Sequence, residues 1–84
     1  MVTVGDLISK KDYDYIEFRG ILDKPLKNGI TDYFAGGAAS KNGELIFRNE
    51  NDEYPKDIEV VRYIEWDDPE EKIKSGLTVY CKNF

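Results

Sequence analysis

The hydrophobic residues at the start of the chain recur with the period of a helix. Val4, Leu7 and Ile8 are spaced so that they share one helical face. Thr3 precedes them as a candidate N-cap, and Asp6 follows three positions later, which is the arrangement of a capping box. The pattern predicts a short N-terminal helix. Because an isolated helix of two turns does not persist in water, its apolar face must pack on another element, which we expect to be a sheet.

From Tyr13 onward the pattern changes to the alternation of a β-strand. A first strand is predicted over residues 13–19, with Ile16 and Phe18 on its inner face. A last strand is predicted over residues 77–81. Its inward residues are Leu77, Val79 and Cys81.

The middle of the chain predicts three more strands. They cover residues 30–34, which continue into the small residues 35–39, then residues 45–47 and residues 58–66. The small residues indicate a bulge, a bend, or a ring packed closely above the strand. Residues 58–66 have the longest alternation, interrupted only by Arg62. The residues predicted to face inward there are Ile58, Val60, Ile64 and Trp66.

Two Asn-Gly pairs mark turns between these strands. Asn28-Gly29 ends a turn-rich stretch, and Asn42-Gly43 predicts a tight hairpin with a type I′ turn. Residues 49–57 are polar and predict a loop. Residues 67–71 fit either a loop or one helical turn that starts at Asp68 with Pro69 in the first position.

These elements predict a single α+β domain over residues 1–84. A short N-terminal helix packs on a curled, mostly antiparallel sheet of about five strands. Since 84 residues are too few to cover both faces of an open five-stranded sheet, we expect a strongly bent sheet or a small, partly open barrel. The sequence has neither a secretory signal nor the roughly 20 apolar residues that span a bilayer, so we expect a cytoplasmic protein without membrane contact.

The composition excludes much enzyme chemistry. The chain has no histidine and one cysteine, so it cannot form a Ser-His-Asp triad, a Cys-His pair or a cysteine-based zinc site. Cys81 alternates with inward residues and is predicted to be a core residue. The stretch from Asn49 fails the spacing of a calcium-binding EF-hand, since Tyr54 and Val60 stand where glycine and glutamate are needed. We predict no enzymatic activity, no cofactor and no metal ion.

The formal net charge of −5 is unevenly distributed along the chain. Residues 50–71 hold ten acidic and two basic residues, a local balance of −8, whereas residues 1–49 are balanced and residues 72–84 carry +3. Such an acidic strip disfavours direct binding to nucleic acid. Three interpretations of the acidic strip are open. It is a solvated surface that keeps a small domain soluble, a docking patch for a basic protein surface, or a cation-binding cluster.

Tyrosines form the second candidate contact surface. Tyr13, Tyr15, Tyr33 and Tyr63 alternate with the aliphatic positions, so they either face solvent or cover a second small core. The candidate partner-binding residues, taken from the acidic strip and the tyrosines, are Glu59, Glu65, Asp67, Asp68, Glu70, Glu71, Tyr15 and Tyr63.

Three short motifs carry a resemblance to a known group of proteins. They are Thr3-Val4-x-Asp6-Leu7-Ile8, Asp12-Tyr13-Asp14-Tyr15-Ile16 and Glu59-Val60-Val61. Together they resemble small acidic proteins of gut Firmicutes, often encoded near phage or mobile-element genes. The resemblance covers both ends of the chain but not residues 20–50. It implies an origin, and a role in interactions between mobile elements and host cells, rather than a mechanism.

Three functional hypotheses follow. The first is a small acidic, non-enzymatic protein-binding module whose partner has a basic surface. The alternative is a DNA-mimic inhibitor of a CRISPR or restriction nuclease, which should present its carboxylates in an ordered double row. The third is a homodimer through an exposed edge strand with only a structural role, so the expected oligomeric states are a monomer and a weak homodimer.

Overall fold

The computed structural model describes residues 1–41, 44–47 and 56–82. In these residues it contains one helix and five strands. They are α1 (Val4–Lys10), β1 (Tyr15–Ile21), β2 (Asp32–Lys41), β3 (Glu44–Phe47), β4 (Arg62–Asp68) and β5 (Ile73–Cys81). The α+β class and the short N-terminal helix are therefore confirmed.

The strands form one sheet in the order β3-β2-β1-β5-β4. The central strands β1 and β5 pair in parallel, whereas the other three neighbouring pairs are antiparallel. The sheet is therefore mixed. In the described part of the chain its outer strands β3 and β4 do not pair with each other, so the sheet is open rather than closed into a barrel.

The capping box predicted for α1 is present. The Asp6 N–H donates to Thr3 Oγ1 at 3.2 Å, and the Thr3 N–H donates to Asp6 Oδ2 at 3.0 Å. Two free N–H groups of the first turn bond to a neighbouring segment, Val4 to Ile58 O at 3.1 Å and Gly5 to Lys56 O at 2.9 Å. Because these bonds satisfy donors that a helix start leaves unpaired, they hold α1 against residues 56–60.

The core lies between α1 and one face of the sheet, here called the core face. The predicted inward positions of the first and last strands are buried as expected. The buried hydrophobic residues are Val4, Leu7, Tyr13, Ile16, Phe18, Ala38, Val60, Leu77, Val79 and Cys81. Burial raises the pKa of the Cys81 thiol to about 11, which keeps it protonated and unreactive at neutral pH.

The predicted strand over residues 58–66 is wrong at its start, and its predicted inner face is confirmed for Ile58 and Val60 but wrong for Ile64 and Trp66. Residues 58–60 run beside the N-terminal segment, where the Val60 N–H donates to Val2 O at 2.8 Å, and β4 begins only at Arg62. The chain changes partner at Val61, and this shifts the alternation by one residue. Val60 is therefore buried in the core, whereas Ile64 and Trp66 lie on the opposite sheet face.

The small residues of β2 accommodate both a bulge and a ring. The register between β1 and β2 shifts between Phe18 and Arg19, where an extra residue of β2 is inserted next to Gly36. A Cβ on Gly37 would lie 2.8 Å from Tyr15 Oη, so this glycine leaves room for the tyrosine ring. Both features agree with the prediction from residues 35–39.

Two predicted turns can be compared with the structure. Gly29 has a positive φ of 83°, as expected for the Asn28-Gly29 pair. Residues 69–72 form a turn rather than a helix. Pairing of Lys41 with Glu44 confirms the β2–β3 hairpin. The turn type predicted for Asn42-Gly43 and most of the loop predicted over residues 49–57 lie outside the described residues.

Candidate interaction surface

The sheet face opposite the core, here called the open face, has no described helix or strand over it. On β1 and β5 its side chains are those that alternate with the buried positions. On β2 and β4 they are the side chains of the residues paired with these open-face positions. The residues placed on this face by the register include Tyr15, Glu17, Arg19, Asp32, Phe34, Arg62, Ile64, Trp66, Thr78 and Tyr80.

Hydrogen bonds connect β4, β5 and β1 across the open face. Trp66 Nε1 donates to Thr78 Oγ1 at 2.9 Å, and that hydroxyl donates to Glu17 Oε1 at 3.4 Å. Thr78 is the buried polar residue among those described, and these two bonds satisfy its hydroxyl. The indole ring is thereby held in one orientation on the sheet.

Ion pairs extend this network to β2. Arg19 Nε donates to Asp32 Oδ1 at 2.8 Å, and Arg19 Nη1 lies 3.8 Å from Glu17 Oε2. The hydrogen bond to Asp32 raises the pKa of Arg19, which stays charged. Arg62 Nη2 lies 3.9 Å from Asp32 Oδ2, and the Arg62 guanidinium stacks over the Tyr80 ring at 4.1 Å from its centroid. Side chains of the non-adjacent strands β2 and β4 therefore meet above the two central strands.

An aromatic pair lies on the same face. The rings of Tyr15 and Trp66 are 6.0 Å apart between centroids and tilted by 58°. A glycine lies beneath each ring, Gly37 under Tyr15 and Gly76 under Trp66. A Cβ on Gly76 would lie 2.6 Å from the indole, so the ring can rest on the sheet only because this side chain is missing.

Residues 67–71, here called the acidic turn, adjoin the aromatic pair. Asp68 Oδ1 accepts the N–H groups of Glu70 at 3.2 Å and Glu71 at 3.4 Å, so Asp68 shapes the turn. The side chains of Asp67, Glu70 and Glu71 are exposed. A shallow groove beside the turn is lined by residues that include Tyr15, Glu71, Lys72 and Lys74, so Glu71 of the acidic turn and Tyr15 of the aromatic pair border the same groove.

Glu65 has a different environment from the acidic turn. Its side chain lies on the core-face side of β4, where Glu65 Oε2 accepts from Lys11 Nζ at 3.0 Å and Glu65 Oε1 accepts from Tyr13 Oη at 2.9 Å. These bonds lower the pKa of Glu65. Burial, together with the carboxylate, raises the pKa of Tyr13 to about 12. Glu65 therefore connects β4 to the residues that follow α1.

The remaining candidates do not join the open face. Tyr63 lies on the core-face side of β4 at its exposed edge, and Glu59 pairs with Thr3 beside the start of α1. Of the four candidate tyrosines, Tyr13 is buried, Tyr15 is partly buried, and Tyr33 and Tyr63 are exposed. Of the eight predicted partner-binding residues, the structure brings Tyr15 and Glu71 together at one groove, and Asp67, Asp68 and Glu70 belong to the same turn as Glu71.

The carboxylates needed for a DNA mimic are only partly described. Glu50, Asp52 and Glu53 lie outside the described residues. Those that are described are placed on the core-face side of β4, in the acidic turn and beside α1. The DNA-mimic alternative stays a prediction.

The central residues of the open face were not identified from the sequence. Glu17 and Arg19 alternate with Ile16 and Phe18, which places them on the face away from the core. Their interactions with Asp32 and Thr78, however, depend on strand order and register. Trp66 was predicted to face the core, since the shift at Val61 cannot be read from the alternation.

Metal sites, membrane-spanning helices and similar proteins are considered next to the open face. Among the described residues, no three acidic or cysteine side chains are grouped so that they could hold a metal ion, and no helix has the length and apolarity to span a membrane. Compared with known proteins, the chain matches no family model and has no significant match to a curated protein or a solved structure.

Proposed function

We propose that the protein is a non-enzymatic protein-binding module that contacts its partner through the open face and the acidic turn. The observation that carries this proposal is that Tyr15, which contacts the Trp66 ring, shares a groove with Glu71 of the acidic turn. Tryptophan and tyrosine are enriched among the residues that dominate binding energies, because they bury large rigid surfaces and also offer a polar group. The hydrogen bond from Trp66 to Thr78 orders the indole before binding, which lowers the entropy lost in the complex.

The chemistry of the partner follows from the charges at this surface. Asp67, Glu70 and Glu71 are exposed at the rim, so basic groups of the partner would contact the turn and accelerate association. The rings, with Phe34 and Ile64 farther along the open face, would contact an apolar segment. The proposed partner is therefore a protein whose basic surface borders an apolar patch.

A charge-matched pair of variants tests this proposal. The turn variant carries Asp67→Asn, Glu70→Gln and Glu71→Gln, and it retains Asp68 because that residue shapes the turn. The control variant carries Asp12→Asn, Asp23→Asn and Asp57→Asn, three exposed positions outside this surface. Both variants lose three negative charges by replacing a carboxylate with its amide, so they are matched in net charge and differ in where the charge is removed.

The immobilised protein is used to capture a partner from cells that encode it, and the purified partner is then titrated. Because Trp66 is the single tryptophan of the chain, its fluorescence reports binding at the open face. At low salt we expect the turn variant to bind at least about tenfold more weakly, while the control changes affinity little. Equal affinities of the turn variant and the wild type would overturn the proposal. Displacement of the partner by duplex DNA would favour the DNA-mimic alternative.

A further inference from the structure

The outer edge of β4 combines an unpaired strand with exposed apolar side chains. No described residue pairs with this edge, since β4 is the last strand of the sheet. Val61, Tyr63 and Ile64 are 52%, 47% and 49% exposed. An exposed strand edge of this kind offers its main-chain N–H and C=O groups to another strand.

The regular part of β4 is short and has a defined midpoint. Pairing with β5 is continuous from Arg62 to Trp66 and becomes irregular between Trp66 and Asp68. On the other side, Val61 precedes the strand and marks the change of partner. A strand that pairs with the whole regular segment therefore spans five residues centred on Ile64.

The sequence of this segment is compatible with antiparallel pairing to itself. With Ile64 opposite Ile64 of the second copy, Arg62 faces Trp66 and Tyr63 faces Glu65, so no two like charges are opposed. Centring the pair on Glu65 would place two carboxylates opposite each other. Centring it on Tyr63 would place Ile64 opposite the charged Arg62.

We propose that two copies of the chain associate through their β4 edges in this antiparallel register, with a two-fold axis at Ile64. Residues directly opposite each other share a sheet face, so the axis is perpendicular to the joined sheet. The dimer is then a continuous sheet of ten strands, five from each copy. Its two open faces lie on the same side. This association does not depend on the partner proposed above.

The first experiment measures mass as a function of concentration by sedimentation equilibrium. We expect the wild type to rise from the monomer mass of 9.7 kDa toward twice that value. Ile64→Lys places two positive charges opposite each other at the axis and should weaken dimerisation at least about tenfold. The matched control is Ile30→Lys, which makes the same change at an isoleucine 44% exposed in the β1–β2 connection and should dimerise as the wild type does.

Two results would overturn the proposal. One is a wild type that stays at the monomer mass at all concentrations, and the other is an Ile64→Lys variant that dimerises as strongly as the wild type. Because Ile64 is already half exposed, we expect the circular dichroism spectrum of the variant to be unchanged. If that spectrum is lost, the cysteine experiment below decides the question.

The second experiment tests the register with single cysteines. Cα atoms of residues directly opposite each other in an antiparallel pair are about 4.5–5.5 Å apart, within the range that a disulfide spans. Ile64→Cys should therefore form an intermolecular disulfide under mild oxidation. In Tyr63→Cys the two cysteines would be offset by about 6.8 Å along the strands in addition to the strand spacing, so they should not crosslink. Efficient crosslinking of Tyr63→Cys without crosslinking of Ile64→Cys would overturn the register. Cys81 is buried in both variants.

Discussion

The phenol of Tyr13 is buried against the core and donates a hydrogen bond to Glu65, which also binds Lys11. Each group changes the ionisation of the other, since a neutral phenol can donate to a carboxylate but a phenolate would repel it. The pKa of Glu65 is therefore lowered, mainly by Lys11, and that of Tyr13 is raised, mainly by burial. A residue predicted to face either solvent or a second small core thus belongs to the main core.

Tyr13 should lose its proton only at high pH, because burial raises the pKa of its phenol to about 12. Its pKa of about 12 lies above the usual value of 10.0, so the folded state binds this proton more tightly than the unfolded state does. The contribution to stability is therefore present below pH 10 and is lost as the pH rises toward about 12. In a spectrophotometric titration of phenolate absorbance, we expect a late step that is absent from Tyr13→Phe. Tyr33→Phe, at an exposed position, is the control and should retain it.

At the scale of elements, β5 and β4 are joined by a contact that depends on a missing side chain. Trp66 lies against Gly76, its partner on β5, and its indole donates a hydrogen bond to Thr78 on the same strand. The hydrogen bond and the close approach together determine the ring position. The position of the indole in turn determines its contact with the Tyr15 ring.

Gly76→Ala should displace the indole from the sheet. The added methyl group would lie 2.6 Å from the ring, so Trp66 must move and lose its bond to Thr78. We expect a loss of about 1–3 kcal/mol in the free energy of unfolding and a red shift of tryptophan emission. Urea denaturation followed by circular dichroism measures the first and fluorescence the second.

A double-mutant cycle provides the control for this prediction. In a Trp66→Leu background the indole is absent, so Gly76→Ala should cost much less than it does in the wild type. Equal costs in both backgrounds would show that the glycine is needed for its backbone rather than for the ring above it.

Elements defined by local periodicity could be predicted from the sequence. Thr3 and Asp6 are three residues apart, and Ile16 and Phe18 are two apart, so their arrangement depends on contacts within one element. The parallel pairing of β1 with β5 could not be predicted, because alternation does not reveal the direction of a neighbouring strand. The phase shift at Val61 was missed for a similar reason, since it arises where the chain changes partner.

The charge of the whole molecule could be counted from the sequence, but its distribution in space could not. The acidic strip includes Glu65, which is bound by Lys11 from 54 positions away, and Glu71, which lines a groove with Lys74. Side-chain direction separates these carboxylates onto different surfaces. The candidate site was therefore predicted in part, at Tyr15 and the acidic turn, whereas the network around Arg19 and Asp32 required the register.

The molecule should lose stability in acid for a local reason. The pKa of Asp6 in the capping box is lowered from its ordinary value of 3.8, and that of Glu65 beside Lys11 is lowered from 4.5. The folded state therefore binds these protons less tightly than the unfolded state does. Their contribution is fully present above those ordinary values and is lost as the pH falls below them and through the lowered pKa values of the folded state. We expect the Tm to decrease as the pH is lowered below about 4.5, and Glu65→Gln to have a smaller decrease. Glu59→Gln, an exposed carboxylate outside this pair, is the control and should follow the wild type.

The central position of β5 has a consequence for synthesis of the chain. β5 is the last of the five strands to leave the ribosome, yet it lies between β1 and β4 and supplies Leu77, Val79 and Cys81 to the core. A nascent or truncated chain that ends before Ile73 can form the β1–β2 hairpin but leaves Ile16 and Phe18 without the strand that encloses them. The sheet can therefore be completed only after β5 has been synthesised, and chains that stop before it would expose apolar surface to chaperones and proteases.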